Sequence, residues 1–83
     1  MKKLHSPFPR EIYERNARIY KILANPKRLE ILNIIKHHEL TVDELSKLVQ
    51  IRKSNTSQHL ALLRAYQVVK VRRKGQKAYY TGL

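Results

Sequence analysis

Cysteine is absent from this 83-residue sequence, which excludes disulfides, thiolate metal sites and thiol redox sensing. Acidic residues are scarce. Six Asp and Glu stand against eighteen Lys and Arg, a formal net charge of +12. There are two glycines, Gly75 and Gly82, and neither lies in a glycine-rich loop of the kind that cradles phosphates. Long apolar runs are missing as well. Clusters such as Ile34-Ile35 and Val68-Val69 are far too short to span a bilayer, and the opening Met1–Pro7 lacks the apolar stretch of a signal peptide. The expectation is a soluble, cytoplasmic protein with no membrane partner.

What is present suits one small domain. Hydrophobic residues make up 42% of the chain, an ordinary globular share that argues against disorder. A chain this short buries little surface alone, and dimerisation is one way to add to it. The positive charge is unevenly placed. From Ile51 onward the chain carries Arg52, Lys53, Arg64, Lys70, Arg72, Arg73, Lys74 and Lys77 and no Asp or Glu. Such an excess opposes compaction unless a polyanion offsets it, so it points to nucleic acid.

Residues 1–9, with two prolines and two lysines, read as a flexible arm, and 10–83 as the folded domain. Pro9 suits the opening of a helix. Ile12, Ile19 and Leu23, with Tyr13 and Tyr20, recur at helical spacing over Arg10–Leu23. Two apolar flanks on one short helix imply packing on its own core and on a second copy. Asn25-Pro26 reads as an N-cap followed by the first helical position. The helix it opens is lined by Leu29, Ile31, Leu32 and Ile35 and ends near His37-His38. Thr41-Val42-Asp43-Glu44 is a capping-box pattern for a third helix that stops around Val49. After a turn at Gln50–Lys53, Ser54 is expected to cap a fourth helix running to about Tyr66. Val69, Val71 and Arg73 then alternate with Lys70 and Arg72, a strand pattern. Lys74-Gly75-Gln76 is the turn, and Lys77–Thr81 the returning strand. The fold class is α+β, mainly α: a winged helix-turn-helix of four helices followed by a two-stranded β-hairpin wing.

In such a pair of helices the second enters the major groove with its N-terminal residues at the base edges. Here these are Ser54, Asn55, Thr56, Ser57, Gln58 and His59, all small or polar. Asn and Gln pair bidentately with adenine, and the Thr methyl suits a thymine methyl. Recognition helix 54–66 is therefore assigned to the major groove. Arg52, Lys53 and Arg64 flank it, and Thr41 offers a helix N-terminus to a phosphate. The basic wing, 70–78, brings Arg72, Arg73, Lys74 and Lys77 to the DNA backbone or minor groove. Tyr79 and Tyr80 are expected to pack between the strands, with one of them facing outward. No nucleophile–base pair or metal cluster is visible, so no enzyme activity is expected. His37 and His38 point about 100° apart on a helix, and with His5 and His59 they form no chelating set. No metal or other cofactor is expected.

Three segments carry a resemblance. They are Leu23-Ala24-Asn25-Pro26-Lys27-Arg28-Leu29-Glu30-Ile31-Leu32, Ser57-Gln58-His59-Leu60-Ala61-Leu62-Leu63-Arg64, and Val71-Arg72-Arg73-Lys74-Gly75-Gln76-Lys77-Ala78-Tyr79-Tyr80. Over about residues 10–82 the chain resembles the ArsR/SmtB family. The resemblance implies a homodimeric repressor that leaves double-stranded DNA when an inducer binds, and the apolar surface of Ile12, Tyr13, Ile19 and Tyr20 places the expected dimer at the first helix. Many members sense metal through a stretch similar to Glu-Leu-Cys-Val-Cys-Asp-Leu. This chain has Glu39-Leu40-Thr41-Val42-Asp43-Glu44-Leu45, with Thr41 and Asp43 at the cysteine positions, so that metal site is not carried over. The Asn55–Leu60 segment is also similar to ArsR-like domains that precede a rhodanese-type sulfurtransferase. The alternatives are therefore a DNA-binding regulatory domain of a larger fused enzyme, or a winged helix used for protein contact.

Overall fold

The computed structural model describes residues 3–83, so the first two residues of the expected arm lie outside the described residues. Helix α1 (Arg10–Leu23) has the expected bounds, but Pro9 stands one position before it, as an extended N-cap without a side-chain hydrogen bond. Helix α2 (Pro26–Ile35) starts as its sequence dictates. Asn25 accepts from the Arg28 N–H at 3.0 Å, and Pro26 fills the first turn, where a missing N–H is harmless. The helix stops at Ile35, two residues short of the histidine pair. Leu29 is corrected: it is 51% exposed, and Ile31 and Ile35 are the residues that α2 buries.

Helix α3 (Val42–Val49) carries a complete capping box, with Glu44 N–H on the Thr41 hydroxyl and Thr41 N–H on the Glu44 carboxylate. It ends on Gln50, whose φ of +58° is the left-handed conformation that releases the chain into the next helix. Helix α4 (Lys53–Ala65) begins one residue before the expected cap. Arg52 holds the N-cap position, and no side chain caps the helix. Ser54 lies inside the first turn. The tight exit at Gln50 sets this start; the local serine does not.

Strands β1 (Val69–Lys74) and β2 (Lys77–Gly82) form an antiparallel hairpin in which Lys74 pairs with Lys77. Its turn is the two residues Gly75-Gln76, with positive φ at Gly75 alone, the type II′ pattern that matches strand twist. On its other edge β2 meets the α2–α3 connection. Leu40 and Tyr80 exchange two backbone hydrogen bonds, of 3.1 and 2.7 Å.

Ile31, Ile35, Leu45, Val49, Leu60, Leu63 and Val69 form the core, with Leu23, Leu32, Leu40 and Tyr80 half-buried around it. Each buried aliphatic side chain contributes about 1.5–3 kcal/mol. The four-helix and hairpin expectation is therefore met, and the core binds the helix-turn-helix and the wing into one body. Helix α1 is different, because it buries no residue. The radius of gyration is 16.2 Å, against about 12 Å for a compact chain of this length. Among the described residues no helix is long and apolar enough to cross a membrane.

Candidate nucleic-acid interface

Helix α4 has two faces, and its sequence sorts residues between them. Thr56, Leu60 and Leu63 point into the core. On the opposite face Ser54, Gln58 and Ala61, spaced four and three residues apart, are exposed and share one side of the helix. Arg52, Lys53, Asn55, Ser57 and Arg64 are also exposed. Thr56 must be removed from the expected contact set. It is fully buried, and its hydroxyl donates to the Arg52 carbonyl at 3.0 Å, so its methyl reaches no base. A threonine in the first turn of a helix reads as polar surface until its partner carbonyl is known.

A side chain from another helix reaches the flank of α4. Arg28 on α2 donates from Nε to the Ile22 carbonyl at 2.6 Å, and its terminal nitrogen lies 3.2 Å from His59 Nδ1. A guanidinium has only donors, so His59 Nδ1 accepts and the neutral ring keeps its proton on Nε2. Burial, and then the charge of Arg28, push the imidazole below its ordinary pKa. Lys27 and Arg28 line the groove beside Asn55, Gln58 and His59, and sequence reasoning missed both. A signal was there: cations in the first turn of a helix oppose its dipole, which implies an outside partner. Lys27 finds one in the Val49 carbonyl, at 2.6 Å.

His59 gives a pH prediction. Its folded-state pKa is lowered and its unfolded-state pKa is ordinary, so the unfolded chain binds more protons between the two. Stability is then full above the ordinary imidazole value and falls as pH drops toward the folded-state value. Urea unfolding of the wild type should lose stability from about pH 7 to 5, and His59→Gln should lose less over that range. Equal slopes in the two proteins would show that His59 carries none of the effect.

Thr41 is placed at the head of α3, but its donors are occupied. Its N–H and hydroxyl both donate to Glu44 Oε1, at 2.9 and 3.1 Å. Those bonds hold the Glu44 carboxyl below the usual carboxylate range, so a carboxylate sits where a phosphate would bind.

The wing brings the remaining charges together. Arg73, Lys74 and Lys77 are exposed, and among the described residues none of them makes a salt bridge, nor do Arg52 and Arg64. Lys74 lies directly across from Lys77, a like-charge pair that is unfavourable without a counter-charge. Lys53 is paired with Asp43. Arg72 is also committed: its Nε and a terminal nitrogen each donate to Glu39 at 2.9 Å. Tyr79 is the more outward of the two wing tyrosines, lying under the Arg72 guanidinium at 5.5 Å, whereas Tyr80 packs on the core.

A capped helix, a tight left-handed exit, a second helix with a polar outer face and a basic hairpin together define a winged helix-turn-helix protein. Residues 25–71 match the family described as bacterial regulatory protein, arsR family. The chain belongs to the arsR family of bacterial regulatory proteins. It is 41% identical to the transcriptional activator HlyU of Vibrio cholerae over 63 residues, 76% of this chain and 58% of HlyU. It is 36% identical to the transcriptional repressor PagR of Bacillus anthracis over 69 residues, 82% of this chain and 69% of PagR. The chain thus spans little more than half the length of HlyU. The crystal structure of NolR from Sinorhizobium fredii superposes with a TM-score of 0.84 at 40% identity, covering 99% of this chain and 81% of NolR. A solution structure described as the homodimeric winged helix-turn-helix DNA-binding domain of Mb0332 from Mycobacterium bovis gives 0.83 at 27%, covering 98% and 75%.

Proposed function

We propose that the chain binds double-stranded DNA sequence-specifically as a transcriptional repressor, in the cytoplasm and without enzymatic activity. The carrying observation is the exposed polar face of α4 lying in one body with Arg73, Lys74 and Lys77, cations that make no salt bridge among the described residues. In this reading α4 lies in the major groove. Ser54, Asn55, Ser57 and Gln58 face base edges, and the Nε2–H of His59 is offered as a donor. Arg52, Lys53, Arg64 and, on the wing, Arg73, Lys74 and Lys77 hold phosphates. Residues 10–83 form the DNA-binding domain, preceded by an arm at 1–9. The regulatory character of the relatives supports the non-enzymatic role. PagR supports repression, while HlyU is described as an activator.

Dimerisation through α1 is part of the proposal. Ile12, Tyr13 and Tyr20 are 41, 43 and 71% exposed on a helix with no fully buried residue, and the Mb0332 domain is described as homodimeric. A two-fold protein reads an inverted repeat, with half-sites about one or two helical turns apart. Selection from a random duplex pool should return such a repeat. Sedimentation should then find two chains per duplex. A pool that yields no preferred sequence would refute specific recognition, and one chain per duplex would refute the dimer.

A further inference from the structure

Beyond the packing of Val69 in the core and the bond from the Thr81 hydroxyl to the Ile35 carbonyl, two adjacent contacts tie the outer part of the wing to the helix-turn-helix. The first is the Leu40–Tyr80 backbone pair. The second is next to it in both segments: Glu39 precedes Leu40, and Arg72 pairs in register with Tyr79, which precedes Tyr80. The Arg72 guanidinium stacks over the Tyr79 ring at 5.5 Å and reaches Glu39 with two bonds of 2.9 Å. Ring and carboxylate together hold the guanidinium on its face and at its edge. A planar fork of this kind fixes direction as well as distance. The Lys74–Lys77 end of the hairpin lies two rungs farther out, roughly 7 Å at strand spacing, so a small pivot at Arg72 displaces the cations at the tip.

We propose that Glu39, acting through the Arg72 guanidinium stacked on Tyr79, is a positioning residue that sets the direction of the wing, and that Arg72 serves this joint instead of a phosphate. The inference rests on the DNA-binding reading and assigns that interface a residue, Glu39, that makes no DNA contact itself. It also resolves an oddity of charge. A chain with six acidic residues places one of them against its basic wing, where it opposes the field that attracts DNA. A carboxylate there is useful if its geometry outweighs its charge.

The sign of one substitution decides the matter. Glu39→Gln makes the protein more positive by one charge, and simple electrostatics then gives tighter binding to any duplex. If Glu39 positions the wing, E39Q instead binds the selected duplex roughly fivefold more weakly, a typical effect of a non-contacting residue. Arg72→Lys keeps the charge and loses the fork, and should weaken binding similarly. Arg72→Ala should leave the salt slope unchanged, whereas a lost phosphate contact lowers it by about 0.9. Fluorescence anisotropy with a labelled duplex from the random pool reads all three. Unchanged or tighter binding by E39Q, or a lowered slope in R72A, overturns the proposal.

A readout without DNA keeps the joint testable if no duplex is bound at all, a result that would defeat the DNA-binding reading alone. Hydrogen exchange at the Tyr80 amide, which donates to Leu40, should quicken in E39Q and R72K while the thermal midpoint stays near wild type, since the pair is exposed. Unaltered exchange at Tyr80 overturns the proposal.

Discussion

Replacing Arg73, Lys74 and Lys77 together with glutamine should flatten the salt dependence of DNA binding by roughly 2.7 in log–log slope. Each phosphate contact releases counterions and adds about 0.9 to the slope. At physiological salt the same three contacts are worth on the order of 100-fold in affinity, on selected and random duplexes alike. The choice of residues follows from the structure. These three are exposed, and among the described residues they make no salt bridge; of the three, Lys77 has its charge near a carboxylate, that of Glu44. Thermal stability should stay within about 0.5 kcal/mol of wild type, since losing the Lys74–Lys77 repulsion and losing the attraction of Lys77 for Glu44 act in opposite directions. Arg72 is left out because Glu39 holds it. Titrations at four or five salt concentrations check the slope. A triple variant with the wild-type slope would take the wing out of the interface.

Most of the architecture was legible because local chemistry and tertiary need agree in this chain. Asn25-Pro26 and Thr41–Glu44 state their helix starts in side chains that make the expected bonds. The β-period from Val69 and the glycine at 75 mark the hairpin. The parts that were not legible have physical reasons. Left-handed positions are usually announced by glycine, as at Gly75, but glutamine fills the two that follow helices: Gln50 at φ +58° after α3 and Gln67 at φ +61° after α4. The start of α4 therefore had no sequence mark, and Ser54 attracted the cap assignment that belongs to Arg52. Leu29 carries the composition of a core residue, but its side is exposed on this chain alone. Within the site, exposure was legible from polarity at Ser54, Asn55 and Gln58 and misleading at Thr56. Partners were not legible at all. Glu39 is 33 residues from Arg72 and Arg28 is 31 from His59, and no spacing rule reaches across such distances. Consequently charge alone could not separate the committed cations, Arg72 and Lys53, from the uncommitted Arg73, Lys74 and Lys77.

Two substitutions two residues apart on α4 should fail in opposite ways. Leu60 is fully buried among Ile31, Leu45 and Leu63 in the core cluster. Leu60→Ala removes transfer energy and leaves a cavity, at about 2–5 kcal/mol. A domain of this size has only about 4–12 kcal/mol in total, so the thermal midpoint should fall by roughly 10 °C or more. Any loss of DNA binding in this variant should track the unfolded fraction and recover on modest cooling. Gln58 lies on the opposite face, exposed, with an amide that matches the donor and acceptor of an adenine edge. Gln58→Ala should leave the midpoint unchanged and cost about 1–3 kcal/mol on the selected duplex, with far less on random DNA. Urea melts and paired binding titrations of both variants give all four numbers. Equal loss by Gln58→Ala on the two duplexes would show that the outer face of α4 does not read bases, and a stability loss under about 1 kcal/mol in Leu60→Ala would show that its inner face is not the core.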